Sequence, residues 1–147
     1  MGARRQGRIL AFQALYAWGA AGTRQRRAEL LPGLLEFSWL DDGKKKNLVE
    51  SADFSRLLVQ GTVEKITPVD KMIKQHLKNW DFSRLNLVDL SLLRMSVYGL
   101  MFQDTPPSVV IDEAVCISRE FGTDDSYRFI NGVLDSVRRT IQDGAKE

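Results

Sequence analysis

Apolar positions recur at three- and four-residue spacing along almost the whole chain, and strand-like alternation is scarce. That periodicity predicts about seven helices. The first runs from about Ala3 to Ala20, carries Ile9, Leu10, Phe12, Leu15, Tyr16 and Trp18, and stops near Gly22. A second spans about Arg26 to Phe37, and a polar loop follows from Asp41 to Asn47. The third covers about Leu48 to Ile66, with Phe54, Leu57, Leu58, Gly61, Val63 and Ile66 on its packed face and Gly61 suited to close approach by another helix. Thr67-Pro68 reads as an N-cap followed by a first-turn proline, opening a fourth helix that reaches about Asn79.

The segment Leu85 to Phe102 differs from the rest. Its apolar residues nearly encircle the helix, and a helix that is apolar all round is buried on all sides. It is the predicted central helix. Thr105-Pro106 opens a sixth helix ending at Phe121-Gly122, where glycine would supply a left-handed stop. Asp124-Asp125 begins a seventh, which runs to about Ile141 before a polar tail from Gln142 to Glu147. The expected fold class is all-α: one domain over residues 1–147, built as two small helical bundles around the central hydrophobic helix, the first over about 1–80 and the second over about 81–142.

Composition narrows the setting. No apolar run approaches the roughly 18–20 residues of a membrane helix, and the basic start lacks the apolar core of a signal peptide. The single cysteine, Cys116, excludes an internal disulfide and reads as a small core residue among Ala114, Val115 and Ile117. A reducing cytoplasm fits, with no membrane partner. Charge changes the picture more. Arg4, Arg5, Arg8, Arg24, Arg26 and Arg27 precede the first carboxylate, Glu29, and without them the chain has 15 basic against 19 acidic residues. A strongly basic end on a mildly acidic body favours a polyanion such as nucleic acid.

At 100° per residue, Arg4, Arg5 and Arg8 continue the stripe of Phe12, Leu15 and Tyr16. Guanidinium groups cannot extend an apolar core, and cations at a helix N-terminus oppose its dipole by about 0.3–1 kcal/mol each. A phosphate backbone supplies the missing counter-charge. The competing reading is a solvated basic chain end.

Catalytic chemistry is not evident. His76 has no cysteine or carboxylate at metal-ligand spacing and reads as a surface residue. There is no nucleophile elbow, phosphate loop or dinucleotide fingerprint. Asp112-Glu113 and Asp124-Asp125 are neighbours that point apart on a helix. The expectation is a non-enzymatic binding protein with no catalytic residue, metal or cofactor. Lys44-Lys45-Lys46 suits a phosphate contact or a solvated loop equally. Trp18, Trp39 and Trp80 read as packing residues rather than stacking platforms.

Three segments, in order, resemble the NusB family of bacterial transcription antitermination factors. ARRQGRILAFQALYAW (Ala3 to Trp18) is similar to its arginine-rich first helix, and LNLVDLSLLRMSVYGL (Leu85 to Leu100) to its central helix. VIDEAVCISREFGTDDSYRFINGVLD (Val110 to Asp135) is similar to its most characteristic stretch, ending in Phe129-Ile130-Asn131-Gly132-Val133-Leu134-Asp135. The resemblance implies that the two bundles are perpendicular. It also implies a partner, NusE, the small-subunit ribosomal protein that doubles as a transcription factor. The pair would bind boxA-type single-stranded RNA in nascent transcripts, notably of ribosomal RNA operons, and seed an antitermination complex on RNA polymerase.

Residue by residue, Arg4, Arg5 and Arg8 match the family's RNA-binding arginines, and Tyr16 matches an aromatic position near RNA and partner. Asp125 and Phe129 match positions close to the RNA, and Asp89 one facing NusE. Departures are Gln6 in place of a further arginine, Asp112 in place of asparagine and Gly99 in place of an acidic residue. Two other readings stand beside this one: a protein-interaction module without RNA contact, and an accessory domain of an RNA-modifying system. A homodimer is left open.

Overall fold

A computed structural model of the chain describes residues 2–46 and 49–146. Asn47 and Leu48, where the sequence reading joins its polar loop to the third helix, and Glu147 of the tail lie outside the described residues. The described residues form helices and turns, with no strand among them. In order these are α1 (Ala3–Ala20), α2 (Arg24–Leu35), α3 (Asp42–Lys46), α4 (Val49–Glu64), α5 (Ile66–Gln75), a 3-10 turn (Phe82–Arg84), α6 (Leu87–Phe102), α7 (Pro107–Phe121) and α8 (Ser126–Lys146). The all-α expectation holds. α3 is an addition: Asp41 accepts from the Lys44 amide at 2.8 Å and so starts a short helix inside the expected loop.

The chain divides into two compact units, Met1–Gly61 and Thr62–Glu147. In the first, α1 packs against α2 and buries Leu10, Phe12, Leu15 and Trp18. α4, whose last residues belong to the second unit, turns Ser51, Ser55, Leu58, Val59 and Thr62 inward at helical spacing. Three of those five are hydroxyl residues, which explains why the expected packed face was misplaced at Leu57, 63% exposed. Hydropathy alone favours the leucine, but the close-packed side of α4 uses small side chains.

In the second unit α6 packs against α5, α7 and α8, and α7 against α8. Every residue of α6 from Asp89 to Val97 is buried, in keeping with its encircling apolar pattern. Its basic member, Arg94, meets Asp70 of α5 through two parallel bonds, Nε to Oδ1 at 2.9 Å and Nη2 to Oδ2 at 3.0 Å.

Other details depart from the sequence reading. α5 begins at Ile66, so Thr67 and Pro68 lie within its first turn and Thr67 is not its cap. Gly122 has φ −94 and is extended, not left-handed. Its glycine is required by space: a Cβ there would lie 2.6 Å from Ser126 Oγ and 2.7 Å from the Ser118 carbonyl. α8 continues to Lys146 instead of fraying near Ile141. Cys116 is exposed, because the buried stripe of α7 is Val110, Ile111, Ala114, Ile117 and Ser118 and Cys116 lies off it. Trp18 is buried as expected, but Trp39 and Trp80 are exposed. His76 is half-buried, with Nδ1 2.9 Å from the Met72 carbonyl and Nε2 2.7 Å from Thr140 Oγ1. It ties the end of α5 to α8.

Candidate nucleic-acid interface

The arginines of α1 are positioned by a glycine. Gly7 lies between Arg4 and Arg8, and a Cβ there would come within 2.7 Å of Phe54 Cδ1. Its carbonyl accepts the Ser55 hydroxyl at 2.7 Å, holding α4 against this turn. With no side chain at position 7, the Phe54 ring reaches α1, and both neighbouring guanidiniums lie over its face. The Arg4 Cζ is 4.4 Å from the ring centroid and the Arg8 Cζ is 5.2 Å. A ring face attracts a cation without cancelling its charge. The first turn therefore rests on an aromatic support. Phe54 was legible only as a core position; the signal for its second role was the glycine spaced between two arginines.

Arg4 is exposed, and Arg5 and Arg8 are half-buried. Further along the helix Tyr16 is 43% exposed while Phe12 and Leu15 are buried. The Tyr16 ring is thus a surface group and not a core one. At the other end of the basic stretch Arg27 lies over Trp18, with Cζ 4.3 Å from the centroid, and Arg26 is 3.9 Å from Glu29. Lys44 and Lys46 of α3 are exposed.

The remaining expected site residues meet in the second unit. Asp89, Asp125 and Phe129 line one cavity of about 280 Å³, together with Trp80, Arg84 and Asn86. Asp89, expected on the partner side, thus shares a cavity with two residues expected near RNA. It belongs to a reciprocal cap at the start of α6: its amide donates to Asn86 Oδ1 at 2.8 Å, and Asn86 Nδ2 donates to its Oδ2 at 3.1 Å. Its other oxygen, Oδ1, is buried with no hydrogen-bond partner among the described residues. A buried carboxylate oxygen left in that state favours an incoming N–H or O–H donor.

Phe129 is half-buried, and its ring meets Trp80 edge-on with centroids 5.5 Å apart. Trp80 lines this cavity although the sequence marks it for packing, because a lone tryptophan in a polar stretch gives no periodic signal. Beside it, Asp81 accepts the Ser83 amide at 3.0 Å, a bond that holds its carboxyl below the ordinary carboxylate range. Arg128 Nε donates to the Tyr127 hydroxyl at 2.9 Å, which raises the guanidinium pKa further.

Residues 5–139 match the sequence model of the NusB family. The chain belongs to the NusB family. It is 50% identical over 136 residues to the transcription antitermination protein NusB of Treponema denticola, covering 92% of this chain and 95% of that one. The protein of the same name from Geobacter sulfurreducens is 41% identical over 145 residues, covering 97% and 99%. Among solved structures, NusB of T. maritima superposes with a TM-score of 0.75 at 31% identity, covering 92% of this chain and 90% of that one. A crystal structure of the antitermination factors NusB and NusE in complex with dsRNA gives 0.76 at 26% identity, covering 95% and 98%. NusB proteins are transcription antitermination factors and not enzymes. No helix among the described residues is long and apolar enough to cross a membrane.

Proposed function

We propose that this chain pairs with NusE and that the pair binds boxA-type single-stranded RNA in nascent transcripts, notably of ribosomal RNA operons, as part of an antitermination complex on RNA polymerase. The observation that carries the reading is the placement of Arg4 and Arg8 over the Phe54 ring, which presents two cations near a helix start, the end at which the helix dipole disfavours positive charge. Arg4, Arg5 and Arg8 contact backbone phosphates. Tyr16 and Phe129 offer ring surface to unstacked bases, Asp125 tunes affinity downward by repulsion, and Asp89 faces NusE. The solved relative that holds NusB, NusE and dsRNA supports both partners.

The test is a salt titration of RNA binding by this chain with NusE, on a boxA strand, its duplex and a scrambled strand. The single strand carrying boxA binds best. Arg8→Ala weakens it and lowers the slope of log K against log salt by roughly one or less. Equal binding of all three RNAs, or an unchanged slope in the variant, would overturn the reading.

A further inference from the structure

Trp80 stands out among the exposed residues of the second unit. It is 59% exposed, and its ring is held at 61° to that of Phe129. The chain that presents it is anchored on both sides, by the His76 bonds to Met72 and Thr140 and by the Asp81 cap on Ser83. An exposed indole on a fixed backbone loses little freedom when a planar group stacks on it.

The Trp80–Phe129 pair is the common wall of two cavities of opposite character. The first, described above, carries Asp89 and Asp125 against Arg84. The second, of about 330 Å³, carries Lys78, Arg128 and Arg139 against the single carboxylate Asp135. That carboxylate is already engaged by Arg138 and by Arg139, the latter at 2.8 Å. Gly132 also lines this side, and a Cβ there would meet nothing within 4 Å, so no side chain blocks the approach. Aromatic surface beside clustered cations suits one nucleotide of a single strand, because each base has a stackable face and each phosphate a charge. A cavity this small suits one planar base and not a folded ligand.

We infer that Trp80 is the stacking platform of a nucleotide subsite whose phosphates are held by Lys78 and Arg128 on the basic side of the Trp80–Phe129 wall. This rests on the RNA reading above and adds to it a residue and a subsite. A base stacks on the exposed indole face, and Phe129 braces the ring from its edge. The subsite is tolerant of base identity, since stacking reads a π-face and not a hydrogen-bonding edge.

The experiment is a tryptophan-fluorescence titration of the full chain with NusE, using a boxA strand and the same strand carrying single abasic positions. NusE pairing without RNA is measured separately. The wild type shows quenching that Trp80→Phe removes. Trp80→Ala weakens binding about five- to hundredfold, Trp80→Phe much less, and Arg128→Ala lowers the salt slope by roughly one. One abasic position reproduces the Trp80→Ala loss in the wild type and adds nothing to it in the variant. The inference is overturned if Trp80→Ala binds within twofold of wild type, or if quenching survives in Trp80→Phe. It is equally overturned if Trp80→Ala loses NusE pairing while RNA affinity stays, which would make the wall a protein contact. If the wild-type pair itself fails to bind the strand, the RNA reading fails with it, and that result appears before any variant is made.

Discussion

Guanidiniums lie over rings in both units, Arg119 and Arg128 over Tyr127 in the second among them, but the arginines of α1 and of α6 are held differently. In Met1–Gly61 Arg4 and Arg8 lie over Phe54 and Arg27 over Trp18, while Arg56 lies over Phe37 and also pairs with Asp53 at 3.2 Å. In Thr62–Glu147 the most buried guanidinium, that of Arg94, meets the Asp70 carboxylate through two bonds. A carboxylate cancels the charge it binds, whereas a ring holds a cation in place and lets its field persist. The first arrangement suits a surface that attracts a polyanion. The second suits a core that must tolerate one charge.

The largest effect should come from breaking the core pair. Arg94→Ala leaves Asp70 without its partner and costs about 3–5 kcal/mol, read as a lowered urea midpoint. Replacing both residues together, Arg94→Met with Asp70→Leu, recovers most of that loss. A double variant as unstable as the single one would mean that α6 needs the charge itself and not merely its neutralisation.

Next is the ring support. Phe54→Leu keeps apolar volume but removes the ring face, and it costs about 1–2 kcal/mol of stability, at 0.5–1 kcal/mol for each of its two cation–ring contacts. RNA affinity falls severalfold while the salt slope stays, because the charges remain and only their aim is lost. Wild-type stability and affinity in this variant would remove the basis for contrasting α1 with α6.

Smaller still is the reciprocal cap of α6. Asn86→Ala costs about 1 kcal/mol and frees Asp89 Oδ2 as well as the helix start. The loss is read by thermal unfolding, and Asn86→Asp recovers part of it at neutral pH.

The least effect belongs to Asp81. Its carboxyl pKa is lowered in the folded chain by the Ser83 amide, so its stabilising contribution is present above the ordinary carboxylate range and is lost as pH falls through the folded value. Asp81→Asn lacks that linkage. Its stability gap from wild type, measured by denaturant unfolding across the acid limb, should narrow as pH drops below the carboxylate range. A gap independent of pH would place the effect in capping geometry alone.

Much of the fold was legible from spacing. The encircling apolar pattern of Leu85–Phe102 marked α6, and its burial from Asp89 to Val97 agrees. Errors arose where size and contact matter more than hydropathy. Leu57 is exposed because Ser51, Ser55 and Thr62 face inward. Cys116 is exposed because it lies one residue off a buried stripe. Gly122 is constrained by crowding from Ser126 and Ser118, and not by a left-handed backbone.

At the candidate interface the charge pattern of α1 was readable, since arginines on an apolar stripe conflict with helix physics however the chain folds. Helical class, the buried helix and the basic first turn were therefore set by the order of residues alone, because periodicity and charge are properties of neighbours. Other features required distant residues to meet. Phe54 comes beneath Arg4 and Arg8 only because Gly7 admits it. Trp80, Asp89 and Phe129 line one cavity only through the packing of their unit. Local spacing carries no information about which ring ends up beneath which charge, and tertiary contact alone decides that.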